Sequence, residues 1–244
     1  MTAYTRRDLT IVPMGDNDMV VACDTCGAVG LKSGDILKLP PHYVGKFTAR
    51  VALTEVICAG AMPTVVVNGV ACEMHPTGTD IILGIQEELA NAGLSNVIIT
   101  GSTEENFATG MTALAVTVIG TAAKGSLKFD KAAEDDKFVL LGRPKVGAEV
   151  DLACKGFYAA LQEILTIQDV REVVPAGSKG IAYEVEMLAA LNNTTYTLYD
   201  TDIDYKKSAG PATCLVILCS KMAAEQMRNM FPSAICIGEV TPPK

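Results

Sequence analysis

The acidic residues in the first half of the chain stand where a polypeptide turns or where an element ends. Asp16 and Asp18 lie in Gly15-Asp16-Asn17-Asp18, between two short apolar runs. Asp24 closes the second run and leads into Thr25-Cys26-Gly27-Ala28-Val29-Gly30. Glu104 and Glu105 follow Thr100-Gly101-Ser102-Thr103. Glu55 differs, because it sits within Val51-Ala-Leu-Thr-Glu-Val-Ile-Cys-Ala-Gly-Ala61, an apolar helical stretch. A buried charge is costly unless it is paired or bound to metal. Glu55 therefore snorkels to solvent, pairs with a local arginine such as Arg50, or serves as a ligand. Carboxylates at element ends beside glycine-rich turns suit a divalent cation carrying a polyphosphate. Mg²⁺ prefers hard oxygen ligands and keeps substrate phosphates in its shell. Gly27, Gly30 and Gly101 would let backbone N–H groups approach phosphate oxygens.

Other chemistries have less behind them. There is no Walker A sequence, and Gly27-Ala-Val-Gly30 is not a dinucleotide fingerprint. Cys23-x-x-Cys26 has no second pair and no histidine at ligand spacing, whereas zinc needs four ligands or three and a water. The two histidines, His42 and His75, fall in proline-containing loops and form no Ser-His-Asp or Cys-His pattern. The chain has no Trp and only 5% aromatic residues, which argues against a stacking platform for single-stranded nucleic acid. A net charge of -8 argues against binding a polyphosphate backbone.

The elements that must position these residues are legible from periodicity and punctuation. A chain of 244 residues with 49% hydrophobic content has enough length for a soluble globular core, in one large domain or two small ones. Strands are expected at 9–13, 19–23, 63–71, 96–100 and 111–120. Helices are expected over 45–60 and from a capping box at Thr77–Asp80 to Gly93. Residues 121–136 lose periodicity and mark a boundary between domains 1–125 and 136–244. Beyond it, strands are expected at 137–141, 212–219 and 234–238, and helices at 151–166, 178–191 and 221–230. The mixture is α+β or α/β. The eight cysteines lie mostly in apolar runs, as buried reduced thiols would in a cytoplasmic protein. Residues 1–8 show no signal-peptide pattern, and no apolar run reaches the roughly 18 residues of a membrane helix.

The order of the motifs resembles the superfamily of aminoimidazole ribonucleotide synthetase, thiamine-monophosphate kinase, selenophosphate synthetase and HypE. Asp24, the glycines after it and Lys32 resemble an early Asp-Gly-x-Gly-x-Lys. Thr54-Glu-Val-Ile-Cys-Ala-Gly-Ala-Met-Pro63 resembles the helix-to-strand signature Ser/Asn-Asp-x-x-x-x-Gly-Ala-x-Pro. Gly101-Ser-Thr-Glu-Glu105 resembles a Gly-Gly-Glu-Thr-Ala-Glu loop. Ser208-Ala-Gly-Pro-Ala212 and Ile237-Gly-Glu-Val240 are weaker matches. The chain departs from the pattern at Glu55, where the family has Asp, and at Ser102, which takes the place of the loop's first acid. It lacks the Glu-Gly-x-His-Phe stretch of thiamine-monophosphate kinase, the reactive N-terminal Cys and Lys of selenophosphate synthetase, and the C-terminal Cys of HypE. Cys23-Asp-Thr-Cys-Gly27, Thr100-Gly-Ser-Thr-Glu-Glu-Asn106 and the overall size look most like the α-ribazole kinase group.

The resemblance implies a two-domain fold whose N-terminal sheet dimerises into a barrel with flanking helices, followed by a C-terminal α/β sandwich. It implies ATP and Mg²⁺ as cofactors, a homodimer, and phosphoryl transfer to a nucleoside-like alcohol such as α-ribazole. The alternatives it leaves are activation of an amide or acyl oxygen and a silent nucleotide-binding regulator. On this reading Asp16, Asp24, Glu55 and one of Glu104 and Glu105 hold Mg²⁺. Lys32 or Lys38 neutralises the γ-phosphate, and Asp24 is one choice of base. Gly27, Gly30, Gly101, Ser102 and Thr103 contact phosphates. Ser178-Lys-Gly180 and Ser208-Ala-Gly210 are turns that would close over the substrate.

Overall fold

A computed structural model describes residues 2–153 and 156–242. Its described residues separate into two compact units, one built by 2–127 with 152–153 and the other by 128–151 with 156–242. The fold is mixed α/β.

The first unit begins with β1 (Tyr4–Arg6), β2 (Leu9–Met14) and β3 (Asn17–Gly27), then the short β4 (Val29–Gly30) and β5 (Leu37–Lys38). It continues with α1 (Pro41–Cys58), β6 (Met62–Val70), an irregular turn over Met74–Gly78, α2 (Thr79–Asn91), β7 (Ile98–Thr103) and β8 (Ala113–Ala123). Six strands form one sheet in the order β1-β2-β3-β8-β6-β7. Every pair is antiparallel except β6–β7, which α2 connects as a crossover.

Side chains alternate across a strand, so one face of this sheet is buried and the other is not. Val20, Ala22, Val66, Leu114, Val116 and Val118 are buried where α1 packs against β3, β8 and β6. Their neighbours Met19, Val21, Val65, Val67 and Ile119 stay half-exposed on the opposite face. The helix layer closes because α1 and α2 cross at glycine. A Cβ on Gly84 would lie 1.8 Å from the His42 carbonyl oxygen, and one on Gly45 would lie 2.0 Å from that of Ile81. Arg50 of α1 pairs with the fully buried Glu88 of α2 at 2.5 Å, so the charged groups in this contact satisfy each other.

The second unit holds β9 (Lys137–Gly142), α3 (Phe157–Thr166), β10 (Val170–Pro175), α4 (Ile181–Leu191), β11 (Thr195–Leu198), β12 (Cys214–Cys219), α5 (Lys221–Met230) and β13 (Ile235–Thr241). Its antiparallel sheet runs β10-β12-β9-β13-β11. Every residue of Cys214-Leu-Val-Ile-Leu-Cys219 is buried, as a strand covered on both faces requires. Phe138, Leu140, Val216 and Ile237 pack with Ile181, Val185 and Leu188 of α4, while α3 lies against β10 and α5 against β9.

Candidate functional site

The register of the first sheet brings distant parts of the sequence to one end. Gly27 pairs with Ala113 and Leu114 with Val70, and Val70 pairs with Thr103. The chain therefore leaves β3, β6 and β7 at the same edge and enters β8 there. The connecting loops 28–36, 71–78 and 104–112 emerge side by side.

Short contacts stitch these loops together. Ala28 N–H donates to Thr112 O at 2.9 Å, and Gly34 N–H to Gly110 O at 2.9 Å. Asp35 is buried and accepts three hydrogen bonds, from Lys32 N–H (2.8 Å), Thr112 N–H (2.7 Å) and the Thr112 hydroxyl (2.8 Å). These donors hold its carboxyl below the usual range against the opposing effect of burial. Lys32 Nζ meets Glu73 Oε2 at 2.6 Å, and Thr77 donates to Glu73 Oε1 at 2.5 Å. The lysine contact and the threonine hydroxyl lower the Glu73 carboxyl to about 2. Glu105 Oε1 accepts from Met74 N–H at 2.7 Å and from the Thr103 hydroxyl at 2.9 Å.

Asp24 lies one turn of the pleat beneath these loops. It shares a row with Val116, Asn68 and Gly101, on the face that α1 covers. Burial lifts its carboxyl to about 6, opposed by a backbone hydrogen bond from Thr25 and assisted by the charge of Asp8. Cys26 sits two residues on along the same face, near Thr48 of α1. Burial first, and then Asp24, raise its thiol above the ordinary value. At the far end of the row Gly101 has no room for a side chain, since a Cβ would fall 2.1 Å from Asn68 O. Asn68 is buried and donates Nδ2–H to Thr100 O at 3.0 Å.

The residues expected from the sequence are thus partly assembled. Asp24, Gly27, Gly30, Lys32, Lys38, Gly101, Ser102, Thr103, Glu104 and Glu105 all come to the loop end of the sheet. Within that group Ser102 shares the open face with Gly69, whereas Gly101 and Thr103 face the helices. Lys38 Nζ donates to Lys32 O at 2.6 Å and so braces the loop that carries Lys32. Glu104 accepts from Asn106 and Phe107 N–H and caps its own loop.

Two expected metal ligands stand elsewhere. Asp16 belongs to the β2–β3 turn, eight residues along β3 from Asp24, about 26 Å at the usual strand rise. Glu55 points from α1 to Arg7 of the β1–β2 turn, 3.6 Å away. The pairing alternative is the one realised, with Arg7 in place of Arg50. Among the described residues no three His, Cys, Asp or Glu side chains form a group able to hold a metal ion.

Asn68, Asp35, Glu73 and Thr112 belong to this end of the sheet although the sequence expectations do not include them. Only Glu73, three residues past the end of an apolar strand, carried a signal in its position. Cys23 and Cys26 occupy one strand three residues apart, so their side chains leave on opposite faces. That geometry excludes a joint zinc site or an intrachain bridge between them. In the second unit the two glycine turns do meet. Ala209 N–H donates to Gly177 O at 3.0 Å and Ala182 N–H to Tyr205 O at 2.9 Å, which joins 177–182 to 205–209.

Residues 7–122 match the family described as AIR synthase related protein, N-terminal domain. That segment contains β2, β3, β6, β7 and all of β8 but its last residue, together with all three stitched loops, and leaves β1 outside. No curated protein sequence matches the chain. Several solved structures share the fold over nearly all of it. Thiamine monophosphate kinase from Aquifex aeolicus aligns with a TM-score of 0.67 and 13% identity, covering 96% of this chain and 88% of that one. HypE from E. coli, a hydrogenase maturation protein, gives 0.68 and 18%, covering 92% and 80%. PurL from T. maritima, complexed with ADP, gives 0.71 and 15%, covering 99% of this chain and 43% of that one. This chain therefore spans less than half of PurL. Among the described residues no helix is long and apolar enough to cross a membrane.

Proposed function

We propose that the protein is an ATP- and Mg²⁺-dependent phosphotransferase that acts on a small nucleoside-like alcohol, with α-ribazole as the first acceptor to test. The observation that carries the reading is the convergence of Asp24, Lys32, Glu73 and the Gly101–Glu105 segment at one end of an AIR synthase-related sheet. The PurL and AaThiL structures compared were solved with ADP, ATP or AMPPCP.

The donor set fits a nucleotide-borne dication. Mg²⁺ is usually held by one or two carboxylates with phosphates and waters completing its shell. A site of that kind needs no all-protein cluster. Asp24 supplies a desolvated carboxylate that a neighbouring cation would return to its charged form. Mg²⁺ would neutralise charge on the phosphates. Asp24 would hold the ion on its side of the sheet, while Glu104 and Glu105 stand beyond β7, three strands away. Lys32 would offer its ammonium to the γ-phosphate, with Glu73 and Thr77 fixing its direction. Backbone N–H groups of 101–103 and the Thr103 hydroxyl would orient the phosphate chain. Positioning of this sort supplies most of the acceleration in phosphoryl transfer. Leu31, Ile36, Phe107 and Met111 are exposed on two of the stitched loops and offer an apolar surface to a heterocyclic base.

ADP release measured with Mg²⁺, ATP and a panel including α-ribazole and adenosine tests the proposal, with the phosphorylated product identified by mass spectrometry. Release without a phosphorylated alcohol favours a second reading, activation of an amide or acyl oxygen. HypE and PurL resemble this chain as well as the kinase does. A Mg²⁺-dependent thermal shift with nucleotide but no ADP release marks a silent regulator instead. We also propose a homodimer formed through the open face that carries Val21, Val65, Val67 and Ile119.

A further inference from the structure

The phosphotransferase reading leaves the acceptor's proton unassigned, and the loop between β6 and α2 contains a group suited to take it. His75 lies in the Met74–Gly78 turn. That turn is tied to the other two loops on both sides. Glu73 holds Lys32, the Met74 N–H is held by Glu105, and the backbone at Gly78 abuts the Thr103 methyl, which a Cβ on Gly78 would approach to 3.3 Å.

Thr79 places a hydroxyl between the imidazole and the backbone of the turn. The Thr79 hydroxyl donates to Met74 O at 3.0 Å. Its oxygen also lies 2.9 Å from His75 Nδ1. A hydroxyl has one hydrogen to give. With that hydrogen on the carbonyl, the contact to the ring requires Nδ1–H to donate and Thr79 Oγ1 to accept. In that arrangement the neutral ring carries its proton on Nδ1, which leaves the Nε2 lone pair available. Nε2 has no hydrogen-bond partner among the described residues, and His75 is solvent-exposed.

Asp24 is the carboxylate assigned to the ion in the reading above, and the remaining carboxylates at this end are engaged in hydrogen bonds. Glu73 is held by Lys32 and Thr77. Asp35 accepts three hydrogen bonds. Glu104 caps its own loop, and Glu105 holds Met74 and Thr103. The second histidine, His42, lies 2.6 Å from Glu87 on the α1–α2 surface.

We infer that His75 is the general base of the transfer and Thr79 the positioning residue that sets its tautomer. The inference rests on the phosphotransferase reading. His75 Nε2 takes the proton of the acceptor hydroxyl as that oxygen bonds to the γ-phosphorus. The bond from γ-phosphorus to the bridging oxygen breaks, and the electron pair leaves with ADP. The imidazolium then returns its proton to water.

The test compares wild type, His75→Gln, His75→Ala and Thr79→Val with Mg²⁺, ATP and α-ribazole or adenosine. Nucleotide binding is followed separately by the thermal shift with Mg²⁺-AMPPCP. His75→Gln is expected to lower kcat by about 10²- to 10⁴-fold, the usual range for a lost general base, with the nucleotide shift and the KM for ATP retained. Added imidazole should restore part of the activity of His75→Ala, and Thr79→Val should lower kcat by a smaller factor at unchanged KM. Wild type that gives neither a shift nor ADP refutes the phosphotransferase reading, and the inference with it. Active wild type with His75→Gln within twofold of it overturns the inference alone. So does a His75→Gln variant that loses the nucleotide shift, because the residue would then be holding the loop rather than moving a proton.

Discussion

Asp24 is held in an environment that penalises its charge. Its carboxyl is raised from 3.8 to about 6, so between those values the folded protein binds a proton that the unfolded chain has released. The contribution of Asp24 to folding stability is therefore greatest below 3.8 and declines as pH rises through 6. Asp24→Asn removes that cost. The ligand-free variant should melt higher than wild type at pH 7.5, by roughly 2–4 °C for each kcal/mol recovered, and the two should converge near pH 4. The same variant should lose ATP turnover. A variant that melts lower at pH 7.5 would contradict the assigned burial cost. Glu73 behaves in the opposite sense. Its carboxyl is lowered from 4.5 to about 2, so its pairing with Lys32 contributes above 4.5 and is lost as pH falls toward 2. Acid titration of Glu73→Gln should show less loss of stability than wild type across that window.

At the scale of elements, two contacts set the geometry and can be broken singly. Gly84→Ala places a methyl against the His42 carbonyl and should destabilise by several kcal/mol or force α1 and α2 apart. Asp35→Ala strands the Thr112 N–H and hydroxyl and frees the Lys32 loop. A loss of about 2–4 kcal/mol in denaturant melts is expected from its three hydrogen bonds.

These elements were legible from sequence to differing degrees. The apolar run Cys214–Cys219, the helix Lys221–Met230 and the strand Lys137–Gly142 stand where periodicity places them. β10 has no clear strand pattern in sequence because Val170-Arg-Glu-Val-Val-Pro175 mixes two charges and a proline into a short run. β11 has none either, because Thr195-Tyr-Thr-Leu198 lacks an apolar pattern. The expected capping box at Thr77–Asp80 does not form, since Thr77 turns back to Glu73 and α2 starts at Thr79. The candidate site follows the same logic. Asp24 and the Gly101 loop announce themselves locally, at strand ends. Asp35–Thr112 and Lys32–Glu73 join residues 77 and 41 positions apart, and no local pattern encodes such a pair. Asp16 and Glu55 looked equivalent to Asp24 because sequence shows that a carboxylate is near a turn or in a helix, but not which end of the sheet it faces.

At the scale of the whole molecule, the half-exposed face of the first sheet carries Val21, Val65, Val67 and Ile119, and the dimer proposal concerns it. Val67→Lys puts a charge at the middle of that face without touching the helix side. It should convert a dimer to a monomer in light scattering while leaving the circular dichroism spectrum intact. An unchanged dimer mass would place the contact elsewhere.

One strand already carries the means to watch this. Cys23 and Cys26 leave β3 on opposite sides, Cys23 exposed and Cys26 partly covered. A maleimide therefore meets two thiols that report on different events. The labelling rate at Cys23 follows whatever shields the bare side of the sheet. The rate at Cys26 follows loosening between strand and helix next to Asp24. Peptide mapping after brief alkylation would resolve both signals in a single unmutated sample.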